Sequence, residues 1–145
     1  MKVLILIADG FHDLQFFCLY YRLLEEGVDV IIASPLGDKA VGLRGFPIEA
    51  DTPIAAVDPA EYGLLVIPGG QSPERLRLRE EAIGIVRTFM DKERPVAAIG
   101  HGAQLLISAG SLRTSKQHRL QTFATTFELA APSITTGRSS AMAIC

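Results

Sequence analysis

Four short apolar runs, Val3–Ile7, Val28–Ala33, Leu64–Ile67 and Pro95–Ile99, punctuate the first hundred residues, and each stops abruptly at a turn-forming group. Apart from Asp29 near the start of the second run, the apolar residues are continuous rather than alternating, as in parallel strands buried on both faces. Between the runs the pattern changes to helical spacing. Asp13 is read as the N-cap of a helix reaching about Glu26 and stopped by Gly27, with Leu14, Phe17, Tyr21 and Leu24 on its inner side. Ser72-Pro73-Glu74 is a helix start, because proline suits the first turn. Glu80 to Lys92 is an amphipathic helix with Ile83, Val86, Phe89 and Met90 inward, and Ala103 to Ala109 is helical up to Gly110. The stretch from Gly37 to Pro53 is glycine-rich and polar and reads as a small hairpin excursion, with Phe46-Pro47-Ile48 as a strand-like piece.

Alternating strands and helices with glycine-rich turns predict an α/β fold: a doubly wound parallel sheet in a three-layer, flavodoxin-like sandwich. Ligand sites in such sheets lie at the C-terminal ends of strands. Three turns qualify, Asp9 to Asp13, Gly69 to Glu74, and Gly100 to Gly102. The 145 residues suit a single core. The expected domain spans 1–113, and 114–145 forms an aberrant tail, because Thr, Ser, Ala, Gln and Arg dominate there without a period.

Composition narrows the partners. The formal net charge is −2 with no long run of one sign, which argues against nucleic acid or an acidic membrane surface. No stretch is long and apolar enough to span a bilayer. Cys18 and Cys145 make neither a disulfide framework nor a zinc pattern, so a cytoplasmic location is expected. Cys18, beside Phe16 and Phe17, is a core or helix-face thiol.

The sharpest chemical signal is the strand–Ile99-Gly100-His101-Gly102–helix segment, which has the form of a nucleophile elbow. A cysteine on such a turn is activated by the helix N-terminus behind it. Here the elbow residue is Gly100, which tolerates the turn but supplies no nucleophile. With this turn the chain resembles the ThiJ/PfpI family, which holds PfpI-type intracellular peptidases, glyoxalases and deglycases. The matching segments are Lys2-Val3-Leu4-Ile5-Leu6, Arg22-Leu23-Leu24-Glu25-Glu26-Gly27, Leu65-Val66-Ile67-Pro68-Gly69-Gly70, Pro73-Glu74-Arg75, Pro95 through Gly102, and Ile107-Ser108-Ala109-Gly110.

The resemblance implies roles. His101 matches the histidine after the family's nucleophile, and Glu74 the acid that orients it from a neighbouring subunit. Gly69 and Gly70 match the loop whose N–H groups face a developing oxyanion, and Gly102, which completes the elbow, is expected with His12 to line the same pocket. Two positions depart from the family. Gly100 stands where the family has cysteine, and His12 stands in the turn where it has a glutamate bonded to the sulfur. On the residues alone, Glu74 is equally a favourable charge in a first helical turn, and His12 an exposed loop histidine. His12, His101 and Glu74 lack the local spacing of a metal site, and Gly69-Gly70 lacks the lysine of a phosphate loop. No cofactor and no metal are expected. The leading expectation is a pseudoenzyme, stress-related or otherwise, that binds a small carbonyl or amide metabolite without covalent chemistry. The alternatives are a hydrolase or lyase using His101 and Glu74, and a structural protein. A homo-oligomer is implied by the neighbour-donated acid.

The tail departs from the family, which continues with an R-D-D-L-like helix, an A-G-A turn and a strand pair around V-V-x-D-G-N-L. A frame shifted by one base, starting on the third base of the Phe123 codon, can encode R-D-D-L-R-A-G-G-A-L-Y-H-D-R-A-V-V-R-D-G-N-L. The single codon of Met142, read into that of Ala143, forces the glycine of D-G-N. The tail is therefore expected to be a frame-shifted counterpart of the family's last elements, leaving C-terminal elements incomplete and apolar surface bare. The nucleotide sequence is predicted to carry an inserted or deleted base near the codons for Leu112 to Ser115. Codons beyond that point that cannot be read as the family pattern would refute the frame shift.

Overall fold

β1 (Lys2–Leu6) is the spine of the sheet because both of its faces are covered. Leu4, Leu6 and Ala8 pack to one side with Ile83, Val86, Phe89, Leu105 and Leu106. Val3, Ile5 and Ile7 pack to the other with Phe11 and Phe16. A strand with two buried faces has no polar position to alternate with, which is why the run is continuous. The computed structural model describes residues 1–110 and two short strands at 117–118 and 141–144.

The chain runs from β1 into α1 (Asp13–Glu25), β2 (Asp29–Ser34), β3 (Ala40–Val41), β4 (Pro47–Ile48) and β5 (Thr52–Pro53). Two single 3₁₀ turns lead to β6 (Leu64–Ile67), α2 (Ser72–Leu76), α3 (Glu80–Asp91) and β7 (Val96–Ile99). A 3₁₀ turn at Gly100–Gly102 feeds α4 (Ala103–Ser108), and β8 (Gln117–His118) and β9 (Ala141–Ile144) are the two later strands. The main sheet is ordered β5-β2-β1-β6-β7-β9-β8, with parallel pairing at each step. Its centre, β2-β1-β6-β7-β9, is the flavodoxin-like order, so the doubly wound three-layer architecture holds. α1 covers one face and α3 with α4 the other. Apart from β8 and β9, the tail of 114–145 lies outside the described residues, and so does its expected incompleteness. No helix among the described residues is long and apolar enough to cross a membrane.

The hairpin expected between Gly37 and Pro53 forms as the antiparallel pair β3–β4. The chain then returns to the main sheet, where β5 pairs with β2 at Ala33–Thr52 and Ser34–Pro53. Two expectations about α1 are corrected. Asp13 does not cap the helix: His12 is the N-cap residue and no side chain caps it. The Asp13 carboxylate instead accepts the Arg44 N–H at 2.9 Å, tying the hairpin to the start of the helix. The inner face is also rotated by one residue. Phe16 is fully buried, with Tyr20 and Leu23 packed behind it, whereas Leu14, Tyr21 and Leu24 are 70%, 57% and 43% exposed. The Phe16 ring packs at a tilt against Phe11, with ring centres 5.0 Å apart, and this contact sets the rotation of the helix. Only Phe17, partly buried, keeps its expected side. Ile83, Val86 and Phe89 of α3 are buried as expected, with Met90 packed against them.

The orientation of α1 gives a direct test. Phe16→Ala is predicted to cost about 3–5 kcal/mol, as for a buried aromatic, whereas Tyr21→Ala costs under about 1 kcal/mol. Urea unfolding of the two variants checks this, and equal costs would contradict the described helix face.

Candidate functional site

Three strand-to-helix turns meet at the C-terminal edge of the sheet, and glycines let them touch. Phe11 and Gly70 form an antiparallel bridge, in which the His12 N–H donates to the Gly69 carbonyl at 3.0 Å and the Gln71 N–H to the Gly10 carbonyl at 2.8 Å. Gly70 has φ +87°, and a Cβ there would collide with the Gly10 carbonyl. A Cβ on Gly102 would likewise collide with the Ile67 carbonyl at the end of β6. The buried Ser72 hydroxyl accepts the Ala8 N–H at 2.8 Å, pinning α2 to the end of β1. The hairpin closes over this seam: Leu43 N–H donates to the Phe11 carbonyl at 2.9 Å, and Gly10 N–H to the Val41 carbonyl at 2.7 Å.

The seam opens into a cleft of about 290 Å³. Of the residues singled out from the sequence, His12, Gly70, Glu74, Gly100 and His101 line it. His12 is half-buried with its Nδ1 buried and without a partner among the described residues, while Glu74 and His101 are exposed on the rim. Glu74 and His101 thus share a cleft within one chain. The expectation that Gly69 and Gly102 line the pocket is corrected: both are buried behind it, Gly102 because it packs against the Ile67 carbonyl and Gly69 because it lies against Gln15 and the Ile99 carbonyl. A larger cleft of about 380 Å³, between the end of β2 and α2, includes Asp9, Lys39, Arg75 and Arg79 and none of the predicted site residues.

At the elbow Gly100 has φ +53°, the left-handed region that a side chain enters only under strain. A Cβ built on Gly100 would meet nothing nearer than the Gln15 Nε2 at 3.5 Å, with Gln15 Oε1 at 3.9 Å. The neighbour of the elbow is therefore Gln15, one helical turn beyond the N-cap, and the assignment of that place to His12 is corrected. Helix geometry explains the difference, since residues three apart on α1 present to the same side. Gln15 also changes the oxyanion loop, because its Oε1 accepts the Gly69 N–H at 2.8 Å. That amide is occupied and cannot face a ligand, whereas the Gly70 amide has no acceptor among the described residues. Gln15, Leu43 and Gln71 line the cleft and were not singled out from the sequence. A glutamine in a first helical turn carries no signal until the fold brings it beside the elbow.

Gly100 at left-handed φ between a buried strand and a helix, faced by the Gly69–Gly70 turn, is the architecture that the sequence segments resemble. The family model described as DJ-1/PfpI matches residues 1–129. The chain belongs to the DJ-1/PfpI family. Among curated relatives, a deglycase of Thermococcus kodakarensis is 46% identical over 116 residues, covering 80% of this chain and 70% of that protein. The deglycase PfpI of Pyrococcus furiosus is 44% identical over the same shares. Among solved structures, oxidized DJ-1 of Toxoplasma gondii superposes with a TM-score of 0.81 at 25% identity, over 97% of this chain and 79% of that one. A two-domain DJ-1/ThiJ/PfpI-like and ferritin-like protein of Anabaena variabilis gives 0.89 at 25% identity, over 99% of this chain and 44% of that one.

In this DJ-1/PfpI site the elbow has room for a sulfur, and Gln15 offers a donor to it. Gly100→Cys, with Cys18 and Cys145 replaced by serine, is predicted to fold at a backbone cost of about 1–2 kcal/mol. Its thiol is predicted to react with iodoacetamide with a midpoint below the ordinary value of about 8.5, because an N–H donor stabilises the thiolate. Adding Gln15→Glu places a carboxylate beside the sulfur and moves that midpoint up. The pH dependence of labelling of the two variants measures both effects, and a midpoint at or above the ordinary value in the first would contradict the described elbow.

Proposed function

We propose that this DJ-1/PfpI-family chain holds a small carbonyl-bearing or amide metabolite in the elbow cleft without forming a covalent bond to it. Gly100 carries the reading. Covalent chemistry at an elbow needs a nucleophilic atom on the turn, and Gly100 has no side chain to supply one. No thiol lines the cleft among the described residues, and Cys18 is exposed on α1. What remains is a small, half-open cavity with the Gly70 amide, the Gln15 amide and the His101 ring on its walls. Such a site can bind a polar oxygen by hydrogen bonds.

A second reading is favoured by one observation. His101 and Glu74 line the same cleft, and the relatives above are named deglycases. In that reading His101 takes a proton from a water that attacks the substrate carbonyl, and Glu74 orients the ring. Among the described residues no hydrogen bond joins the two side chains, so the second reading requires Glu74 to move or a neighbouring copy to supply its own.

Purified chain assayed with methylglyoxal and with a generic peptide substrate, beside Gly100→Cys, separates the readings. The unmodified chain is predicted to show no turnover, and saturating iodoacetamide to change nothing. Turnover by the unmodified chain that His101→Ala abolishes would establish the second reading instead.

A further inference from the structure

Gln15 is held in one orientation. It leaves the first turn of α1 half-buried against the elbow. A backbone N–H can only donate, so the Gln15 atom 2.8 Å from the Gly69 nitrogen is the carbonyl oxygen Oε1. The amide nitrogen Nε2 is then directed toward the elbow and is the nearest atom to the space over Gly100, at 3.5 Å from the Cβ position. Neither hydrogen on Nε2 has an acceptor among the described residues. An amide neither gives up nor takes a proton near neutral pH, so this wall of the cleft binds but does not shuttle protons.

We propose that Gln15 is the ligand-selecting side chain of the cleft, and that Nε2 donates to an acceptor-only oxygen, the carbonyl of a small uncharged aldehyde, ketone or amide, seated over Gly100. The inference rests on the non-covalent reading above and adds to it the atom that is recognised. The cavity of about 290 Å³ limits the ligand to a small molecule. An uncharged carbonyl is preferred over a carboxylate because Glu74 lines the same cleft and its negative charge opposes a second one. A ligand end that carries only donors gains nothing at this position, since it offers the Nε2 hydrogens no acceptor.

The test uses hydroxyacetone as a neutral ketone and acetate as its anionic counterpart, titrated into the ¹⁵N-labelled full chain at pH 7.5. The Gln15 side-chain amide pair is identified by its disappearance in Gln15→Glu. With hydroxyacetone this pair is expected to shift and saturate, and acetate is expected to bind at least threefold more weakly. Gln15→Glu still offers an oxygen to the Gly69 N–H but replaces the donor with an acceptor, so it should keep the Tm while weakening hydroxyacetone at least tenfold. Gln15→Leu, which gives up both bonds, should weaken it as much. Binding retained within twofold in both variants, or saturation elsewhere with the Gln15 pair unmoved, overturns the role of Gln15 and leaves the binding reading intact. Tighter binding of acetate overturns the preference for an uncharged carbonyl. If hydroxyacetone moves no resonance of the unmodified chain, this inference and the non-covalent reading fall together.

Discussion

The site depends on backbone pressed against backbone where β1, β6 and β7 end. Gly70 lies against the Gly10 carbonyl and Gly102 against the Ile67 carbonyl, at separations that leave no room for a Cβ. Two exchanged hydrogen bonds then lock the first turn to the second. A strand that ends beside its neighbours would ordinarily leave polar backbone groups unpaired, at a cost comparable to a lost hydrogen bond each. Here the turns satisfy one another, and the cleft is the space left above them. This arrangement needs glycine at fixed places whether or not the elbow carries a nucleophile. It therefore persists in a chain whose elbow is Gly100.

The hairpin contributes to the same seam from outside the sheet. Asp9 Oδ1 accepts the Val41 N–H at 2.9 Å and Asp13 Oδ2 the Arg44 N–H at 2.9 Å, so two carboxylates at the entrance to α1 hold one loop. Gly42 fits beneath because a Cβ would strike the Asp13 carboxylate. The consequence for the site is Leu43, which this clamp sets on the wall of the cleft. A segment with only a two-residue strand pair to its name thus shapes the wall of the cleft through hydrogen bonds to the turn below.

β5 and β8 carried no apolar run, and β9 was not singled out from the sequence. The four central strands β1, β2, β6 and β7 and the doubly wound class were legible because parallel strands buried on both sides leave a nearly continuous apolar run, and because turn residues mark where each ends. The elbow was legible for the same reason, as Ile99-Gly100-His101-Gly102 breaks a strand into a helix. The inner face of α1 was not. Leu14, Phe17, Tyr21 and Leu24 make an apolar stripe of their own beside the stripe of Phe16, Tyr20 and Leu23, and periodicity cannot choose between adjacent stripes. The choice is made by Phe11, which meets Phe16 from outside the helix. Asp13 misled in a similar way: it is a good capping residue, but the hairpin amide competes for its carboxylate and wins. In the cleft, five of the expected residues line the wall, whereas Gly69 and Gly102 serve the packing behind it.

Gln15 shows what sequence patterns conceal at this site. Its importance comes from two contacts with residues 54 and 85 positions away, the Gly69 amide and the space over Gly100. The first contact removes one of the two backbone donors expected for an oxyanion, and the second replaces it with a side-chain donor a little nearer the elbow. The donor inventory of the cleft is thus altered, from two loop amides to the Gly70 amide and one primary amide. An oxyanion hole stabilises charge that develops during a reaction, and it works because its donors are fixed before that charge appears. Without a nucleophile on the elbow, such donors have no covalent adduct of the protein to stabilise. Under the non-covalent reading proposed above, their task is to hold an oxygen that is already polar. The glycine at the elbow and the orientation of Gln15 are thus two separate observations behind that reading, one removing a nucleophile and the other adding a neutral donor.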